Sequence, residues 1–220
     1  MLSEGIAESL QQGLGNKATV TASFTRGHGS LKVAWAEGEG DVASAGGIRF
    51  HLCTSGATGI APVQSIPTTA AQWLLYNPIG SGVSMFFDEL GSWLVSGTAG
   101  AGATLLYALC NNQQLPTSRP ATSVANVILE NANPNSKRGS RLIAQTNQTL
   151  LGNLLSWKPL AWMNPAGTLV GQTQMINQDV RGKIMLTPDS GIALAVISPT
   201  GTSPLFAPTG IHREYDFPGE

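Results

Sequence analysis

Charge is what this chain has least of: 12 basic and 13 acidic residues in 220, a formal net charge of -1. Soluble domains ordinarily carry about a quarter charged residues, and here the share is 11%. Without a cationic excess, nucleic acid and anionic membrane surfaces are poor partners. Cysteine is equally scarce. Cys53 and Cys110 form no Cys-x-x-Cys pair and have no histidine at zinc spacing, so no metal or other cofactor is expected. Both read as small buried apolar groups, with a disulfide as the alternative, and such usage fits folding in a reducing cytoplasm. No run approaches about 18 consecutive apolar residues. The start, Met1-Leu2-Ser3-Glu4-Gly5, has no basic region followed by an apolar segment, so neither an export signal nor an anchor is expected.

What the chain does contain is uncharged polarity: 38 Ser plus Thr and 23 Asn plus Gln. Hydroxyls and amides must therefore keep its surface wet. Hydrophobic residues make up 42%, with five tryptophans, enough to fill a sheet interface and to exclude disorder for most of the chain. The length suits one all-β domain.

Short alternating runs divided by turn residues dominate the pattern. Ala18 to Phe24 and Leu31 to Ala36 flank Arg26-Gly27-His28-Gly29, and Ile48 to Leu52 places Phe50 inward with Arg49 and His51 outward. Trp73 to Tyr76 ends at Asn77-Pro78-Ile79-Gly80-Ser81-Gly82, followed by Val83 to Leu90, Trp93 to Ser96 and Ala103 to Leu109. Gly182 to Leu186, Gly191 to Ile197 and Gly210 to Phe217 complete the set. No long helices alternate with these runs, which predicts an all-β fold: an antiparallel β-sandwich of jelly-roll type, residues 17–220. Residues 1–16 form a short N-terminal helical arm in this reading, with Ile6, Leu10 and Leu14 on one side. Residues 111–141 are polar and proline-punctuated, a long connection or insertion that exposes Ser118, Arg119 and Ser136 to Arg138. Within it, Ser123 to Glu130 reads equally as strand or helix.

Chemistry is sparse. His28, His51 and His212 stand far apart, and no Gly-x-Ser-x-Gly elbow accompanies them. Gly97-Thr98-Ala99-Gly100-Ala101-Gly102 lacks the lysine of a phosphate loop and reads as a glycine-rich hairpin bend. In His212-Arg213-Glu214-Tyr215-Asp216, alternation puts Glu214 and Asp216 on one face and Ile211, Arg213 and Tyr215 on the other. That is an ordinary last strand with its carboxylates solvated. Asp88 and Glu89 are adjacent and so point to opposite faces. Trp73, Trp93, Trp157 and Trp162 suit core packing or a subunit contact, with sugar stacking as the alternative. The chain is therefore read as a binding protein with no enzyme activity.

Taken in order, Arg26-Gly27-His28-Gly29-Ser30-Leu31-Lys32-Val33, Gly47-Ile48-Arg49-Phe50, Leu75-Tyr76-Asn77-Pro78-Ile79-Gly80-Ser81-Gly82, Leu186 to Leu194 and Glu214-Tyr215-Asp216-Phe217-Pro218 resemble a group of tailed-bacteriophage virion proteins. The departures are Val83, where a lysine often follows Ser-Gly, and a final strand without the usual tryptophan. The resemblance implies a jelly-roll-like sandwich on the capsid exterior of the virion, made in the host cytoplasm. Such a protein decorates or cements the capsid, or forms part of a fibre or tail that binds receptor or glycan. Its implied partners are the major capsid protein and copies of itself in a homotrimer. Candidate contact residues are Ile6, Leu10 and Leu14 of the arm, with Arg119, Arg138 and Arg141 of the connection.

Overall fold

Two kinds of strand sequence stand in the middle of the two sheets. Runs such as Trp73-Leu74-Leu75-Tyr76 and Gly191-Ile192-Ala193-Leu194-Ala195-Val196 are apolar at every position and are buried on both faces. Runs such as Arg49-Phe50-His51-Leu52 alternate, so only every second side chain points inward. The computed structural model describes residues 20–24, 31–35, 43–44, 46–55, 59–99, 102–152, 155–163, 175–199 and 201–216. The N-terminal arm with Ile6, Leu10 and Leu14, the turn at residues 26–30, and residues 217–220 lie outside the described residues.

Twelve strands appear in chain order: β1 (Val20–Phe24), β2 (Leu31–Trp35), β3 (Arg49–Thr54), β4 (Ala70–Asn77), β5 (Val83–Thr98), β6 (Ala103–Cys110), β7 (Val127–Asn131), β8 (Ile143–Thr149), β9 (Lys158–Met163), β10 (Met175–Leu186), β11 (Ser190–Ile197) and β12 (Thr202–Asp216). Strands β1 and β2 pair with each other as a hairpin. The others form two five-stranded antiparallel sheets: sheet I in the order β10-β5-β12-β3-β7, sheet II in the order β8-β4-β11-β6-β9. The all-β, two-sheet sandwich expected from the alternation is therefore present.

From β3 to β8 the chain changes sheet at every connection, and it does so again from β9 to β12. The glycine-rich stretch at residues 97–102 consequently differs from the hairpin bend expected. It joins β5 of sheet I to β6 of sheet II, carrying the chain between layers. Gly97 takes a φ of 77°, and a Cβ there would sit 2.3 Å from the Ser203 carbonyl oxygen, so no other residue fits without backbone movement. The two apolar runs before it, Val83 to Leu90 and Trp93 to Ser96, are one continuous strand of 16 residues.

The main core lies between the sheets: Leu52, Met85, Phe87 and Phe206 of sheet I meet Trp73, Leu75, Leu105, Ile192 and Leu194 of sheet II. A second core covers the outer face of sheet II. There Leu115, Leu150, Leu155 and Trp157, from the segments flanking β7 and β8, pack on Ala71, Leu74, Tyr76, Ala108, Cys110 and Ala193. The Tyr76 hydroxyl donates to the Pro120 carbonyl, pinning the polar connection to that face. Val127–Asn131, overlapping the run left open between strand and helix, is a strand paired to β3.

The cysteines divide between these regions. Cys110 is buried in the second core, where burial pushes its thiol up to about 11. Cys53 corrects the expectation of a buried group. It is half-buried on the outer face of sheet I, its Sγ 4.0 Å from Glu130 Oε2. The thiols sit on opposite outer faces of the sandwich, and both are free.

Candidate functional site

The densest polar constellation lies where the chain crosses from β7 to β8, and it reverses one expectation. On β12 it is His212 and Glu214 that point inward, both 0% exposed, while Arg213 and Tyr215 face out. The strand is alternating as read, but its faces are exchanged. The reason lies in its neighbours. His212 is flanked by two core rings, stacked on Phe50 with centroids 5.4 Å apart and tilted against Phe87 at 5.5 Å. On the outer side Arg213 forms an ion pair with Asp88 at 2.7 Å and donates to the Tyr215 hydroxyl at 3.1 Å. The inner face of β12 thus meets core rings, and the outer face an ion pair.

Burying a carboxylate inside a sandwich is costly unless donors surround it. Glu214 has them. The Ser140 hydroxyl donates to Glu214 Oε1 at 2.6 Å, the Arg141 amide donates at 2.8 Å, and His212 Nε2 lies 3.3 Å away. The Leu142 amide reaches Ser140 Oγ at 3.1 Å and Glu214 Oε1 at 3.4 Å. Burial pushes the Glu214 carboxyl up, but the hydrogen bonds from His212, Ser140 and Arg141 outweigh it, and the group sits below its ordinary value.

Serine, histidine and carboxylate in contact invite comparison with a nucleophilic triad, and the geometry differs. A triad histidine bridges serine and acid through its two ring nitrogens. Here His212 Nε2 meets both Ser140 Oγ, at 3.1 Å, and Glu214 Oε1, while Nδ1 has no partner among the described residues. Ser140 gives its proton to Glu214, and its oxygen accepts from the Leu142 amide. The arrangement is a staple that ties residues 140–142 to the last strand.

Above the staple is an open groove of about 670 Å³ between the Pro78–Ser81 turn, residues 121–123 and residues 140–143. Ile79 stands exposed in its wall beside Arg141, and Leu142 and Leu129 line its apolar part. The turn is the Asn-Pro segment of the sequence. Asn77 Nδ2 donates to the Val83 carbonyl at 2.7 Å and the Leu186 carbonyl at 3.1 Å, clamping β4, β5 and β10 together. Among the described residues, no three His, Cys, Asp or Glu side chains converge as a metal would require.

The three arginines singled out from the sequence divide here. Arg119, expected to be exposed, is half-buried: it forms an ion pair with Asp189 and donates to the Pro116 carbonyl at 3.2 Å and the Asn112 carbonyl at 2.8 Å. Arg138 is also half-buried, paired with Asp216 at 3.0 Å. Arg141 donates to the Ser81 carbonyl and has no carboxylate partner among the described residues. Arg138 and Arg141 flank the same staple, whereas Arg119 locks its own loop to the β10–β11 turn. Of the tryptophans, Trp73 is core, Trp93 half-buried and Trp157 packed in the second core, while Trp162 on β9 is 72% exposed. Compared with family models, with curated proteins and with solved structures, the chain matches none. Ser140, the hub of the staple, carried no signal in the sequence, since its partners are 72 and 74 positions away.

Proposed function

We propose that this chain is a jelly-roll virion structural protein of a tailed bacteriophage, one that decorates or cements the capsid by bridging its subunits. The observation carrying the reading is the strand order. Eight strands fall into β10-β5-β12-β3 and β4-β11-β6-β9, with the chain passing back and forth between the two sets. This order supports the jelly-roll reading, an architecture frequent in capsid and lectin domains. Strand β7, from the polar connection, and β8, which follows it, extend the two sheets. Architecture alone does not assign function. The ordered motifs shared with phage virion proteins supply the rest, together with a surface rich in hydroxyls and amides. Such a surface suits many weak contacts added through multivalency.

In this reading the partners are the major capsid protein and further copies of this chain, and Arg141, in the groove without a carboxylate, is the arginine available for such a contact. The test is the melting of purified shells, bare and fully decorated, together with the position of the chain in the intact particle. Decoration is expected to raise the shell transition. An unchanged transition at full occupancy would overturn cementing. Native mass reads the assembly order, for which the resemblance implies three.

A second reading, a receptor- or glycan-binding fibre or tail module, is favoured by Trp162, whose ring is free to stack on a sugar. A glycan array in which Trp162→Ala loses the signal of the native protein would support it, and an array with no binder would remove it.

A further inference from the structure

The staple joins the β7–β8 crossing to the last strand from inside the sandwich, as the Arg138–Asp216 pair joins them at the surface. Residues 140–142 form the crossing from the sheet I edge to the sheet II edge, and they are also one wall of the groove. Their amides at Arg141 and Leu142 and the Ser140 hydroxyl all converge on one carboxylate oxygen, Glu214 Oε1. We propose that Glu214, His212 and Ser140 form an acid-released latch that closes this groove wall onto the last strand at neutral pH and frees it when Glu214 takes up a proton.

The chemistry follows from the donor set. An ionised carboxylate accepts from a hydroxyl, amide N–H groups and an imidazole N–H, and such charge-assisted bonds are the stronger kind. A proton on Glu214 removes the charge that makes those bonds strong. The charged groups of the neighbouring elements are turned elsewhere. On β3, Arg49 and His51 lie on the outer face; on β5, Asp88 pairs with Arg213. On the crossing, Arg138 pairs with Asp216 and the Arg141 guanidinium meets the Ser81 carbonyl. Among the described residues, His212 is therefore the one other ionisable side chain that faces the Glu214 carboxylate. The sign is that of a carboxyl held low: closure is complete above its unperturbed titration and is lost as pH falls through its folded one.

Residue-resolved amide exchange on the full chain tests this, with rates corrected for the pH dependence of intrinsic exchange. At pH 7 the Arg141 and Leu142 amides are expected to exchange at least ~10-fold more slowly than in Glu214→Gln, as loss of hydrogen bonds to a charged acceptor implies. On acidification of the native protein that protection should vanish while the Phe87 amide, in the β5–β12 pairing, stays protected. Ser140→Ala, which keeps the carboxylate, should retain the pH dependence with weaker protection. The inference is overturned if the Arg141 and Leu142 amides keep their neutral protection until Phe87 loses its own. It is equally overturned if Glu214→Gln reproduces the native acid profile. Should Glu214→Gln not fold, the acid titration of the native chain decides alone.

Discussion

The two sheets have different outer faces, and the difference says where this protein is finished and where it is open. The outer face of sheet II is covered by the chain itself: Leu115, Leu150, Leu155 and Trp157 close over Leu74, Tyr76 and Cys110. The outer face of sheet I has no described element packed on it. It carries a mixture along its rows: Met185, Phe86, Arg213 and Arg49 in one, Asp179, Glu89, Ile211, His51 and Glu130 in the next. Covering a sheet turns its strands into uninterrupted apolar runs, while leaving it open preserves alternation. Strand composition here is a record of what lies above the sheet.

The largest effect that would break this contrast is in the covered layer. Leu74→Ala is expected to cost about 2–4 kcal/mol in urea unfolding, because the second core cannot collapse around the void. Met185→Ala on the open face, where the side chain is 47% exposed, is expected to stay within about 0.5 kcal/mol. Equal losses would mean that sheet I is also covered.

Next come the two faces of β12. Glu214→Gln takes the charge from the acceptor that holds the Ser140 hydroxyl and the Arg141 amide and should cost about 3 kcal/mol at pH 7, against about 1 kcal/mol for Asp88→Asn on the outer side. The Glu214 contribution has a pH signature. Its carboxyl is held below the ordinary value, so the stabilisation is present in full at neutral pH and declines as acid drives the folded carboxyl through its titration. The difference between native protein and Glu214→Gln in unfolding midpoint should therefore close in acid.

A smaller effect separates the thiols. At pH 8 Cys53 is expected to react with a maleimide or a disulfide reagent while Cys110 does not, until denaturant opens the second core. Mass spectrometry of labelled peptides reads both at once. The smallest concerns the exposed pair on β10: Asp179→Asn, which breaks the contact with Arg181, should leave the thermal midpoint unchanged.

Much of the fold was legible because burial writes itself into short-range pattern. Strands β4, β6 and β11 are apolar runs bounded by turns, and β3 alternates as its single buried face demands. Two strands left no such mark. Strand β8, Ile-Ala-Gln-Thr-Asn-Gln-Thr, is an edge with polar side chains through most of its length, and β9 carries Pro159, which argues against a strand unless the strand is an edge. The faces of β12 were illegible for another reason. Both carry ionisable groups, and what decides between them is the serine and amides of a crossing more than seventy residues distant. A sequence shows that Glu214 needs donors, but not which part of the chain will bring them.

Strand β12 comes last of the ten sandwich strands yet lies in the middle of sheet I, between β5 and β3. During synthesis, the β10–β5 and β3–β7 pairs must therefore wait as separate ribbons, with their inner apolar residues unsealed. Only when the closing strand leaves the ribosome can they be joined. Long-range pairing of this kind is slow and leaves sticky surface in the interval. A chain shortened before Thr202 would lose the keystone of one whole layer, so its yield should collapse rather than fall in proportion to the residues removed.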